Sequence, residues 1–208
     1  MKKKEKTSLK RTYKAPIQLE GVAKEKILFL SRCLTHLWNM AQTECERRLA
    51  IAPDIRMAFA EAWETGMPAV CGDVVFNLGD LAEMHNNLGV SSISLNFWLT
   101  SARQETITLK DGIEVRLDTI SSDMEREVLR KLAGSYQSFF ALKKNNDFRA
   151  KKPGLKEENW FQTMSWSSFK IRDGILYVPG YNREQIEIPL KAITAGRSLG
   201  DYLEQKIT

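Results

Sequence analysis

The chain has 208 residues, 43% of them hydrophobic, and a net charge of +5, so it has material for one good core or two small ones. No stretch approaches the ~18–20 unbroken apolar residues of a membrane span, and Thr7, Ser8, Lys10 and Arg11 interrupt any apolar run behind the basic start. Three cysteines, Cys33, Cys45 and Cys71, make no even disulfide framework; the expectation is a cytoplasmic protein that does not enter the membrane.

The charge is concentrated. Residues 1–14 hold Lys2, Lys3, Lys4, Lys6, Lys10, Arg11 and Lys14 against Glu5 alone, a net of +6. Residues 143–156 hold Lys143, Lys144, Arg149, Lys151, Lys152 and Lys156 against Asp147, a net of +5, which leaves the rest at −6. Two basic patches on an acidic body attract a polyanion by counterion release, and nucleic acid is the first candidate.

After the basic arm, "TYKAPIQL" alternates Tyr13, Ala15, Ile17 and Leu19 with polar positions, the period of an edge strand that contains Pro16. From Ala23 the period changes. Ile27, Leu30, Leu34, Leu37 with Trp38, Ala41, Cys45 and Leu49 recur every three or four residues and predict a long amphipathic helix, stopped by Pro53. A second, shorter helix then starts at Asp54 and ends at Gly66 and Pro68. Two more are expected around Leu78–Leu88 and Ile93–Arg103.

"KDGIEVRLD" offers an Asp111-Gly112 turn and a strand through Ile113, Val115 and Leu117. The next stretch, from Ser122, has Ser122 and Glu125 at capping-box spacing, and Met124, Val128, Leu129, Leu132, Tyr136, Phe139 and Phe140 as an apolar face. Past the basic loop, Asp173-Gly174 marks a hairpin, and Ile186, Ile188 and Leu190 share one face of another strand. The order predicts an α+β chain in which strands from both ends close a β-barrel around an inserted helical lobe.

Catalytic chemistry is not visible. Cys33 and His36 lie three apart on a helix, but Cys45, Cys71 and His85 supply no paired spacing to complete a zinc site. There is no nucleophile motif, no Walker loop and no GxGxxG, and no apolar strand delivers an Asp to a two-metal nuclease centre. Aromatics beside the cations are more telling. Tyr13, Trp160 and Trp166 are candidates to stack on bases or sugars, whereas Phe139, Phe140, Phe161 and Phe169 are expected in the core. With Lys3, Lys4, Lys10, Arg11, Lys14, Lys143, Lys144, Arg149, Lys151, Lys152 and Lys156, these three make up the candidate binding set.

The run "ISSDMEREVLRKLAGSYQSFFALKK", the basic loop ending "KKPGLK", then "WFQTMSWSSFKIRDGILYVPG" and "IEIPL" resemble the N-terminal half of transposon-encoded TnpB (OrfB) proteins, relatives of the type V CRISPR effectors. "KRTYKAPIQL" and the helix with "LWNMA" are similar to that family's opening strand and its Tyr/Trp-Asn helix. The resemblance covers residues 121–190 best, 10–50 less well and 51–110 not at all. It implies a wedge barrel interrupted by a recognition lobe, holding guide RNA and the heteroduplex with target DNA. It divides the chain into a basic arm and first barrel strand (1–20), a helical recognition lobe (21–110), the lobe's short strand and long helix (111–145), and a basic loop with the barrel hairpin and strands (146–208).

The sequence departs from the family's pattern by stopping at Thr208 before any RuvC-type Asp, and "DYLEQKIT" would start another barrel strand. The resemblance therefore implies no cofactor in this chain, Mg2+ being needed only by a RuvC-like partner domain on a second polypeptide; a second copy of the chain is the other partner considered. Two other readings stand beside it: a nuclease-lacking RNA-guided repressor of transcription, and a guide-free helical DNA-binding regulator.

Overall fold

The computed structural model describes residues 17–71 and 74–190. The basic arm with Tyr13, the opening strand up to Pro16 and the final "DYLEQKIT" lie outside the described residues.

The 3–4 spacing that begins at Ala23 does build a long helix, α1 (Gly21–Thr65). Ile27, Leu30, Cys33, Leu34, Leu37, Trp38, Ala41 and Cys45 on it are buried. Pro53 does not stop it. The proline removes one N–H from the ladder, but strong helix formers flank it (Ala50, Ala52, Arg56, Met57 and Ala58), and Ala52 and Ala62 are buried. Asp54 therefore caps nothing. The helix ends where Gly66 takes a left-handed φ of 68° and its N–H returns to the Ala62 carbonyl.

A hairpin follows that the sequence did not suggest, β1 (Ala69–Cys71) against β2 (Val74–Phe76). The two expected helices come next, α2 (Leu78–Asn87) and α3 (Ser92–Ala102). Their caps are Asn77, whose side chain accepts from the Asp80 N–H, and Ser91, whose hydroxyl accepts from the Ser94 N–H. Asp111-Gly112 then turns a second hairpin, β3 (Thr106–Thr108) with β4 (Glu114–Arg116), which buries Ile107 and Val115.

The helix α4 (Ser122–Lys144) is the second long one, but not through a capping box. It starts after Ser121, which makes no side-chain cap, and Glu125 turns inward instead of reaching back. There it is fully buried, with Oε2 2.9 Å from Nε of Arg103 on the turn after α3. Apart from this ion pair its oxygens have no hydrogen-bond partner among the described residues. Burial, opposed by Arg103, raises its pKa to about 7.

The last sheet is antiparallel, in the order β5 (Lys170–Arg172), β6 (Ile175–Pro179), β7 (Gln185–Pro189). Asp173 and Gly174 both have positive φ, 50° and 70°, as a two-residue turn with right-handed strand twist requires. Ile186, Ile188 and Leu190 are buried, as the alternation predicts. Gly180 leaves little room for a side chain: a Cβ there would lie 3.1 Å from the Glu184 carbonyl and from Ile186.

The chain is therefore α+β; among the described residues it has four α-helices and small antiparallel sheets, and no sheet closes into a barrel. One continuous apolar cluster joins α1, α3, α4, the β3–β4 hairpin and the β6–β7 face. No helix among the described residues is long and apolar enough to cross a membrane.

Candidate nucleic-acid interface

Beside its apolar stripe, α1 carries a second stripe: Ser31, Thr35, Trp38 with Asn39, Gln42 and Glu46, again every three or four residues. All but Glu46 bind the main chain of residues 153–162, which has no regular secondary structure. Gln42 Nε2 donates to the Pro153 carbonyl at 2.6 Å, and Trp38 Nε1 to that of Gly154 at 3.0 Å. Asn39 bonds Lys156 twice, donating to its carbonyl at 2.9 Å and accepting from its N–H at 2.7 Å. The Thr35 hydroxyl donates to the Trp160 carbonyl at 3.1 Å, and Ser31 Oγ accepts from the Gln162 N–H at 2.8 Å.

The segment thus runs antiparallel to the helix, pinned at intervals of one helical turn. Each such bond contributes about 0.5–1.5 kcal/mol net, and ordering one residue costs about 1–2, so a path of this kind exists only where pins recur.

The same stripe divides the cations of the second basic patch into two groups. Lys152 Nζ reaches Glu46 Oε2 at 2.5 Å, and Tyr136, buried on α4, donates its hydroxyl to Glu46 Oε1 at 2.9 Å. The Lys152 hydrogen bond, then that of Tyr136, holds the Glu46 carboxyl below its ordinary range. Lys156 lies with its ammonium 4.3 Å from the Trp160 ring centre and 5.4 Å from that of Trp38, a cation–π clasp across the segment. These two cations are committed to their own chain.

Lys143, Lys144, Arg149 and Lys151 are exposed. They stand on a knuckle that closes the C-terminus of α4. Asn146 takes φ 59°, its N–H bonds the Lys143 carbonyl, and the Asp147 N–H bonds that of Leu142, the paired closure of a Schellman motif. Asp147 Oδ1 accepts from the Arg149 N–H at 2.9 Å. Arg149 Nε is 3.7 Å from Asp147, and its side chain is 96% exposed. Among the described residues Lys143, Lys144 and Lys151 form no ion pair, so their charge is turned to solvent.

The aromatics are redistributed relative to expectation. Trp160 is half exposed beside Lys156. Trp166 packs partly against the core, and its indole N–H donates to the Pro179 carbonyl at 3.0 Å, so it ties the 160–169 stretch to β6. Phe161 and Phe169, expected in the core, are exposed; at Phe161 the pinned segment's main chain, and not its side chains, faces α1. On α4, Tyr136 is buried and Phe139 partly so, but Phe140 is exposed. Among the described residues α4 packs along α1 and α3. Phe148, which no pattern in the sequence singles out, stands 86% exposed on the knuckle. The basic-arm candidates, Lys3, Lys4, Lys10, Arg11, Tyr13 and Lys14, lie outside the described residues.

Between the pinned segment and the β3–β4 hairpin is an open cleft of about 310 Å³, lined in part by Arg32, His36, Lys110, Lys156, Glu157 and Glu158. Cations and carboxylates alternate there, so it has no single sign with which to draw in a phosphate. Cys33 and Cys45 are buried, and burial pushes both thiols up to about 12, which leaves them protonated and apolar in behaviour. Burial lowers the pKa of His36. Among the described residues no three His, Cys, Asp or Glu side chains are grouped to hold a metal ion. Comparison of the chain with family models, with curated proteins and with solved structures finds no match.

The stripe on α1 had a signal in the sequence. Ser31, Thr35, Asn39 and Gln42 are short polar residues at helical spacing, next to an apolar face where a solvated helix would carry Lys or Glu.

Proposed function

We propose that this chain is the nucleic-acid-holding half of a TnpB-like RNA-guided effector, in which Lys143, Lys144, Arg149 and Lys151 grip phosphates from a fixed position. The observation that carries the reading is that the free cations stand on fixed backbone: the Schellman closure of α4 sets the place of Lys143, Lys144 and Arg149, and the segment pinned to α1 begins at Pro153, two residues after Lys151. A heteroduplex is recognised through its backbone and shape, while base pairing reads the sequence, and a preordered cationic edge loses less entropy on binding than a loose tail.

A second observation supports the same reading. Trp38 and Asn39 of "LWNMA" hydrogen-bond the main chain of Gly154 and Lys156 in "KKPGLK", so two stretches of the family resemblance meet in space. In this proposal β5, β6 and β7 are part of a wedge barrel whose closure needs strands from residues 1–16 and 191–208. Cleavage would belong to a RuvC-like domain outside this sequence, with its own Mg2+.

The test is the salt dependence of binding to co-purified RNA, or to a guide–target heteroduplex. Replacing Lys143, Lys144, Arg149 and Lys151 by Ala lowers the log–log slope by roughly 0.7–0.9 for every phosphate that is no longer held. Lys152→Ala leaves the slope unchanged, because that ammonium already has Glu46. An unaltered slope in the fourfold variant, or no RNA above background on the purified protein, overturns the proposal. Specific binding to a DNA duplex after RNase treatment would instead select the guide-free regulator.

A further inference from the structure

The knuckle after α4 presents a single aromatic ring in a setting the core does not explain. Phe148 is 86% exposed, yet its backbone is fixed from both sides: the Asn146 and Asp147 amides close the helix, the Ala150 N–H returns to the Asp147 carbonyl, and Lys143 Nζ approaches the Phe148 carbonyl at 3.5 Å. Its immediate neighbours are Asp147 and Arg149, with Lys143, Lys144 and Lys151 close in sequence and exposed. An exposed ring gains nothing for folding where it stands. The other exposed apolar side chains near it in sequence, Phe140 and Leu142 on the last turns of α4, are more than half covered, and Lys143, Lys144, Asp147 and Arg149 stand between and beside them, whereas a greasy protein partner or a membrane calls for an apolar patch free of such charge. One flat apolar face rimmed by cations has the chemistry of a nucleotide's complement: the ring takes a base and the cations take the flanking phosphates.

We propose that Phe148 stacks on an unpaired nucleobase, so that the knuckle binds single-stranded nucleic acid or the frayed end of a duplex. The inference rests on the reading of the chain as a nucleic-acid binder and adds the feature it recognises. A base inside an intact duplex has both faces covered by its neighbours, so only an unpaired or terminal base offers a face to the ring. The cations attract any polyphosphate; the ring selects one whose bases are accessible.

The test compares an oligothymidine with an abasic oligomer of equal length and charge, titrated against the full chain. The wild type binds the oligothymidine tighter by about 5- to 150-fold, the range of one to three kcal/mol for a stacked base. Phe148→Ala abolishes that preference, with affinity for the abasic oligomer, salt slope and melting temperature unchanged; Phe148→Trp keeps or increases it. The inference is overturned if the wild type binds both oligomers alike, if Phe148→Ala binds as the wild type does, or if it weakens both oligomers equally, the last being the mark of a structural role. A wild type that binds neither oligomer removes the proposed function as well. Salt-dependent binding without base preference removes only the role of Phe148.

Discussion

The helix α1 holds two neighbours by opposite means. Toward α4 and β7 it offers Leu30, Leu34, Leu37, Ala41 and Cys45, all fully buried, and the attachment is apolar area removed from water. Toward residues 153–162 it offers Ser31, Thr35, Trp38, Asn39 and Gln42, and the attachment is a row of hydrogen bonds to main chain. The first kind is strong, non-directional and indifferent to small shifts. The second is weaker per bond but sets the course of a strand-less segment residue by residue. Pinned from Pro153 onward, the segment also fixes one end of the knuckle on which the free cations stand.

The difference can be broken first on the apolar side. Leu34→Ala should cost about 2–5 kcal/mol in global stability, read from denaturant unfolding, because it leaves a cavity at the centre of the cluster. Next comes a polar intrusion on that same side, Glu125. Its pKa of about 7 exceeds the ordinary 4.5, so the folded chain retains a proton that the unfolded chain has released. The sign follows: the stability linked to this site is fully present below about pH 4.5 and is lost as pH rises to about 7. Glu125→Gln should flatten the fall between those values by up to about 3 kcal/mol, measured as melting curves against pH.

On the polar side the effects shrink and become local. Asn39→Ala removes both bonds to Lys156 and should cost about 1–3 kcal/mol, with faster proteolytic nicking of residues 145–160 while the helical core still melts cooperatively. Lys152→Ala breaks a half-exposed ion pair with Glu46 and should cost less than about 1 kcal/mol, measured by the same unfolding assay. If the ranking of these two sets were reversed, the distinction between the two faces would be lost.

Most of the apolar side was legible in the sequence, since burial is written as periodicity: the stripe of α1, Met124 to Tyr136 on α4, and the alternation in β7 appear where expected. What was not legible depends on partners distant in sequence. Glu125 reads as a capping residue until Arg103 comes near it, and Pro53 reads as a stop until packing carries the helix past it. Phe161 reads as core because its segment's attachment through its main chain cannot be seen from side-chain pattern. Phe148 stayed hidden for a related reason: a lone ring outside any periodic face carries no pattern, and only its exposure on a fixed turn sets it apart.

Amide hydrogen exchange at Lys156 and Gln162 tests the pinning most directly. Both amides lie in a stretch without regular secondary structure and donate to side chains of α1, Asn39 and Ser31. The account predicts that both exchange far more slowly than an unstructured chain, and that Asn39→Ala releases Lys156. Exchange of both amides at unstructured rates in the unaltered protein would contradict it.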